Sequence, residues 1–171
     1  MENSTFQKHP SKLLNELYLV KNHQGANPKD AKVLFVGRDP NWAINIEQME
    51  LFNSISEYLS DGITFWNKYK IHHPFLFPNY KGDGKRYHII FSKLKLSHNV
   101  SSEISFVELI GFPTTGMAKS NNTIFLNFLL SDENKKHLVK LDSYLNDNNK
   151  TIFVAWGLLV DFKIIHKKTG L

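Results

Sequence analysis

Three short apolar runs set the strongest limit on how this chain can fold. They are Lys32-Val33-Leu34-Phe35-Val36-Gly37, Ile104 to Ile110, and Thr151-Ile152-Phe153-Val154-Ala155-Trp156-Gly157. Each is rich in β-branched and aromatic residues. The first and third end in glycine, and the second ends at Gly111-Phe112-Pro113. Runs of this length and composition, closed by turn residues, read as buried strands. Helical patterns separate them. Ile44, Gln48, Leu51, Phe52, Ile55 and Leu59 keep helical spacing until Asp61-Gly62. Tyr87, Ile90, Phe91 and Leu94 mark an amphipathic helix with a basic outer face. Asn121 or Asn122 can cap a helix running to Leu130, and Leu138 to Leu145 suggests another. A helix from Ser11 to Lys21, with Ser11 as cap, precedes the first strand. The stretch from Gly62 to Gly84, dense in Pro, His and aromatics, reads as mostly loop. Strands alternating with helices predict βαβ units and a parallel sheet. Ligands of such sheets bind beyond the carboxyl ends of the strands. Gly37 to Trp42, Glu108 to Gly116, and Gly157 onward are therefore the segments where a site is expected.

Composition narrows the class. With 171 residues, 42% hydrophobic and 13% aromatic, the chain suits one domain with a real core, and its 13 phenylalanines predict that this core is aromatic-rich. The absence of cysteine excludes disulfides, thiolate metal sites and cysteine nucleophiles, and makes a reducing cytoplasm the expected home. No apolar run nears the ~20 residues that span a membrane, and Met1 to Asn22 lacks a signal-peptide pattern. The net charge of +5 and pI near 9.3 permit binding to nucleic acid without requiring it.

Asp39 is the first candidate for chemistry. In Gly37-Arg38-Asp39-Pro40-Asn41-Trp42 the glycine allows a tight turn and Pro40 stiffens the backbone, so Asp39 projects from a rigid loop into the expected cleft. A carboxylate there can orient water or stabilise a developing cation; equally, it can cap the turn. His72-His73 are adjacent and poorly spaced to chelate one ion, so they read as surface or loop histidines, and no metal site is expected. Lys81-Gly82-Asp83-Gly84-Lys85-Arg86 reads either as a phosphate-contacting loop or as a plain turn before a helix. Thr114-Thr115-Gly116 can bind a ligand or shape the turn after Pro113.

Taken together and in order, these segments resemble the uracil-DNA glycosylase superfamily over roughly residues 32–162. Val36-Gly37-Arg38-Asp39-Pro40-Asn41-Trp42 resembles that family's first motif, Gly-Gln-Asp-Pro-Tyr-His. Phe52 stands thirteen positions after Asp39, where the family stacks a Phe on the extruded base; within this sequence Phe52 also reads as a core residue of an amphipathic helix. The run from Ile104 to Gly116 is similar to the base-reading strand, the run from Thr151 to Leu159 to the last parallel strand, and Thr64-Phe65-Trp66-Asn67-Lys68-Tyr69 to a Phe-Trp pair near the cleft. The resemblance implies a single domain over residues 1–171, a three-layer α/β/α fold around a central, mainly parallel four-stranded sheet. It implies a water-activating role for Asp39 and base contacts from Gly37, Arg38, Asn41, Phe52 and Glu108. Contacts to DNA phosphates would come from Lys85, Arg86, Thr114 and Lys119. DNA, single- or double-stranded, is the implied partner, and no cofactor is implied.

The chain departs from the family at three places. Glu108 stands where the family reads uracil with Asn, which offers both donor and acceptor; an ionised Glu offers acceptors only, unless burial protonates it. Asn41 replaces the Tyr that excludes thymine. The His-Pro-Ser after the last strand has no counterpart before Leu171, so the domain reads as cut short at its C-terminus relative to the family; His166 falls on a helix, and His9-Pro10-Ser11 is misplaced. The implied function is excision of a damaged or deaminated base by hydrolysis of its N-glycosidic bond, after the base is flipped from the stack. The alternative is a non-catalytic binder of nucleic acid or nucleotides on the same fold. An unrelated α/β protein would be signalled by the first strand at a sheet edge, or by no cleft near Asp39.

Overall fold

The computed structural model describes residues 5–80, 84–120 and 122–171, without the side chain of Ser120. Lys81, Gly82 and Asp83 of the basic loop and the candidate cap Asn121 lie outside the described residues. The protein is a mixed α/β fold. Its four-stranded sheet contains β2 (His23–Gly25), β3 (Val33–Gly37), β4 (Ile104–Glu108) and β6 (Thr151–Val154), in the order β2-β4-β3-β6. A separate ribbon pairs β1 (Gln7–Lys8) with β5 (Thr114–Thr115).

The three apolar runs form the three long strands, and β3 runs parallel to both β4 and β6. The expected mainly parallel sheet is nevertheless a mixed one, because β2 joins β4 antiparallel at the edge. His23-Gln24-Gly25 has no apolar periodicity to mark it as a strand; backbone pairing with β4 alone extends it. The first motif's strand, β3, lies inside the sheet.

Alternation along the strands divides the core. Val36 and Val107 point to one face, into a cluster with Phe125 and Leu129 of α5 (Asn122–Leu129), Leu138 and Leu141 of α6 (Asp132–Leu145), and Ile165 of α7 (Leu158–Thr169). Ile104, Phe106, Val33 and Phe35 point to the other, against Trp66 of α3 (Gly62–Tyr69) and Phe91 of α4 (Lys85–Ser92). Phe35 stacks on Phe106 and Phe153 at 5.5 and 4.8 Å between ring centroids. The aromatic-rich core expected from composition is observed.

Local chemistry sets the helix ends. Ser11 accepts the Leu14 N–H and caps α1 (Lys12–Val20). The helix expected over Ile44 to Leu59 is interrupted. Ile46–Gln48 is a single 3-10 turn, Met49 is extended, and α2 spans only Phe52–Ser60. Asp61-Gly62 does stop α2, but it also starts α3: Asp61 Oδ1 accepts the N–H groups of Ile63 and Thr64, and Thr64 Oγ1 donates to Oδ2. The stretch read as loop is thus partly helical, held by a cap rather than by apolar periodicity. In α4 the buried residues are His88 and Phe91, Ile90 faces outward and Tyr87 is partly exposed; His88 takes an inner position because it packs on other imidazoles. Among the described residues no helix is long and apolar enough to cross a membrane.

Candidate active site

β3 and β4 end side by side, with Gly37 opposite Glu108 in the parallel register. Asp39 lies in the loop that leaves β3, and this loop is fastened to β5. Thr114 N–H donates to Pro40 O at 3.0 Å, Trp42 N–H donates to Thr114 O at 2.9 Å, and the Asn41 side-chain amide donates to Gly116 O. The Thr114 hydroxyl, fully buried, donates to Asp39 Oδ2 at 2.8 Å.

A cavity of about 220 Å³ opens at this point. Its lining combines Gly37, Asp39, Asn41, Glu108 and Gln24 with a group of rings, Trp42, His73, Phe75, Tyr87 and His88. Gln24 is held from behind: its Oε1 accepts the Tyr58 hydroxyl at 2.9 Å and its Nε2 donates to Tyr18 Oη, which also accepts from Trp42 Nε1. The closest juxtaposition is at the strand ends. A Cβ placed on Gly37 would stand 1.8 Å from Glu108 Oε2 and 2.5 Å from its Cδ, so the carboxyl rests directly on the glycine backbone.

The two carboxyls differ in surroundings. Burial, reinforced by the charge of Asp39, pushes the Glu108 carboxyl up to about 8, and among the described residues no hydrogen bond ends on it. Asp39 is also raised by burial, but hydrogen bonds from Thr114 and Asn41 and the charge of Arg38 oppose the rise. The groups that favour a charged carboxylate thus reach Asp39 and not Glu108.

His72 and His73, expected at the surface or in a loop, lie in a loop but are buried. His73 stacks on His88 with centroids 3.5 Å apart, His72 Nε2 lies 3.2 Å from His88 Nδ1, and His73 Nδ1 accepts the Phe75 N–H. Burial holds all three below the ordinary imidazole range, His72 at about 3, and of the three His73 and His88 line the cavity as flat rings. Among the described residues no group of three or more His, Cys, Asp or Glu is arranged to hold a metal ion.

Of the residues singled out in the sequence, Gly37, Asp39, Asn41 and Glu108 converge on the cavity. Arg38 lines it too, yet its guanidinium turns away: Nε and Nη2 bond Asp161 at 3.0 and 3.2 Å, Nη2 bonds Asn122 Oδ1, and the group lies over the Phe125 ring. It ties β3 to α7 and α5 and is not aimed at a base. Phe52 packs in the aromatic cluster around Ile55 and Tyr58 and does not line the cavity. Thr114 is buried behind Asp39, and Lys85 Nζ donates to the Tyr80 carbonyl at 3.2 Å, so neither is presented to a phosphate. Arg86 and Lys119 are exposed. Sequence reasoning gave no role to Gln24, His73, Phe75, Tyr87 and His88, and placed Trp42 only within an expected segment. For His73, Phe75, Tyr87 and His88 the legible signal was the density of aromatic and His residues between Gly62 and His88.

Compared with protein-family models, with curated proteins and with solved structures, the chain matches none.

Proposed function

We propose that this protein is a divergent DNA glycosylase of the uracil-DNA glycosylase type, which excises a damaged or deaminated base by hydrolysing its N-glycosidic bond. The observation that carries this reading is the meeting of two carboxyls of unequal acidity, Asp39 and Glu108, in one ring-lined cavity at the carboxyl ends of adjacent parallel strands. A flipped base needs flat walls and a polar edge reader; a glycosidic bond needs a positioned water and charge near the sugar. Asp39, ionised and fixed by Thr114, orients water toward the sugar carbon and stabilises its developing positive charge. The base leaves with the bonding electron pair and accepts a hydrogen bond from the Glu108 O–H, while the water oxygen bonds to the sugar carbon and its proton passes to Asp39. Exposed Arg86 and Lys119, with the net charge of +5, suit phosphate contacts. The interior position of β3, the cavity beside Asp39, and helices packed on both sheet faces support the three-layer arrangement over an unrelated fold.

One observation favours the alternative of a non-catalytic binder of nucleic acid or nucleotides. His166 is exposed on α7, with Nδ1 3.1 Å from Leu171 O, and offers no help to a leaving base. A single-turnover assay separates the two. Excess protein is mixed with labelled single- and double-stranded oligonucleotides carrying uracil, hypoxanthine or xanthine, then treated with alkali. Strand breaks that vanish in Asp39→Asn are expected. Salt-sensitive binding without breaks would replace the glycosylase with the binder.

A further inference from the structure

We propose that the open edge of β6 pairs two copies of this chain, strand on antiparallel strand, about a twofold axis at Phe153. The inference stands apart from the chemistry of the cavity.

The two edges of the sheet are finished differently. At one edge β2 spans only His23–Gly25, and the start of α3 lies against it: a Cβ on Gly62 would stand 2.8 Å from the Gly25 backbone nitrogen. At the other edge β6 pairs with β3 alone among the described residues. Thr151 N–H donates to Lys32 O at 2.9 Å, so by alternation Thr151 and Phe153 turn their backbone groups to β3. The N–H and C=O of Ile152 and Val154 then point outward. A free row of this kind is a template for another strand, and monomers blunt it with lysine, proline or a bulge. From Thr151 to Val160 there is no charged residue and no proline. Instead Phe153 is 51% and Trp156 87% exposed.

The geometry selects a second copy as the occupant. In an antiparallel self-pairing, Ile152 of one copy exchanges both backbone bonds with Val154 of the other, and the reverse. Phe153 then stands opposite Phe153 of the second copy as the non-hydrogen-bonded pair, where side chains approach most closely. Its ring already stacks on Phe35 at 4.8 Å, and Phe35 stacks on Phe106 at 5.5 Å. The half-exposed Phe153 thus carries a row of rings across the axis. Charge agrees with this register. Thr151 meets Ala155 and Lys150 meets Trp156, so no like charges face each other, and the Lys150 ammonium is already held by Asp147 and by the Lys29 and Ala31 carbonyls. Size agrees too. The Phe153 and Trp156 rings leave roughly 300 Å² open per copy. With the strand itself and exposed Leu159 and Val160, the pair reaches the lower end of specific interfaces, ~1,200 Å² in total, as suits a reversible contact. Antiparallel pairing also sends the carboxyl ends of the two β3 strands in opposite directions, so the two cavities lie at opposite ends of one continuous sheet.

The chain has no cysteine, which makes the register directly testable. Phe153→Cys should form a disulfide between copies under mild oxidation, because a non-hydrogen-bonded pair holds its Cα atoms about 4.5 Å apart, within disulfide range. Leu19→Cys, on α1 and more exposed, reports random collision. Pairing raises the local thiol concentration, so Phe153→Cys should cross-link about ten-fold faster or more. Sedimentation of the unmodified chain from about 5 to about 500 µM should show its mass rise from 19.8 kDa toward twice that. Phe153→Lys and Phe153→Glu each set like charges face to face and should stay monomeric, and an equal mixture of the two should recover dimer. Circular dichroism checks that both are folded. A wild type that stays at 19.8 kDa would overturn the proposal and leave the edge to a strand of another protein. So would a folded Phe153→Lys that dimerises like wild type, a mixture of folded variants that stays monomeric, or cross-linking of Phe153→Cys no faster than of Leu19→Cys.

Discussion

The carboxyl of Glu108 occupies the space that any side chain at Gly37 would need, with its Oε2 only 1.8 Å from where a Cβ would sit. The glycine therefore acts as the seat of the acid. Gly37→Ala is expected to expel the carboxyl and weaken nucleoside binding by about ten-fold or more, through loss of its hydrogen bond. In a Glu108→Ala background the same change should cost little further. This non-additivity, measured in a double-mutant cycle, is the signature of direct contact. Additive losses would show that Gly37 acts by another route.

Thr114 stabilises Asp39 as an anion through its 2.8 Å hydrogen bond. Thr114→Val removes that bond and moves the Asp39 carboxyl further up. The acid limb of turnover should then shift to higher pH, with activity near the plateau less affected. An unchanged acid limb would mean that Asp39 is not the group whose ionisation limits the reaction.

The Arg38–Asp161 pair is bidentate, and the Asp161 side chain is only 5% exposed. Removing the arginine strands a buried charge, so Arg38→Met should destabilise by about 3 kcal/mol or more. Restoring neutrality with Asp161→Asn in the same chain should recover part of it. Urea midpoints of the two single variants and the double measure this. Equal stability of wild type and Arg38→Met would show the pair to be idle.

Acid should unfold this protein early. His23, His72, His73, His88 and His137 are all held below 6.5 by burial, His23 at about 4 and His72 at about 3. In the unfolded chain they take up protons near pH 6.5, and in the folded one only far lower. Their contribution to stability is complete above pH 6.5 and is lost as pH falls toward those depressed values. Each histidine that titrates only when unfolded adds about 1.4 kcal/mol per pH unit to the slope. Glu108 acts in the opposite sense: its raised carboxyl favours folding at low pH, and that contribution is lost as pH climbs from about 4.5 to about 8. Urea titrations at pH 7.5 and 5.5 should show a clear drop at the lower pH. Equal midpoints would mean these imidazoles are not buried.

The strands and the two carboxyls were legible because their signals are local. β3, β4 and β6 are continuous apolar runs, and Asp39 and Glu108 follow from where those runs end. The partners of these groups were not legible, because they come from distant segments with no pattern of their own. β2 is three residues of mixed character, and His73 and His88 belong to segments whose role is set by ring stacking across the fold. The partner of Arg38 was hidden for the same reason: Asp161 stands 123 residues away. Phe52 satisfied a spacing, but its ring packs, partly buried, against the cluster of Ile55 and Tyr58. Thr114 read as a ligand-binding or turn-shaping residue, and its burial under β1 had no local signal.

That cover has a practical side. Gln7 and Lys8 pair with Thr115 and Thr114, His9 N–H donates to Pro113 O, and Phe6 is buried among Phe125 and Phe128. The strand that positions the Asp39 hydrogen-bond donor is itself clamped by the first few described residues. Trimming the chain up to His9 to tidy an expression clone would loosen the very carboxylate an assay depends on, and a bulky fusion at that end would crowd the same clamp.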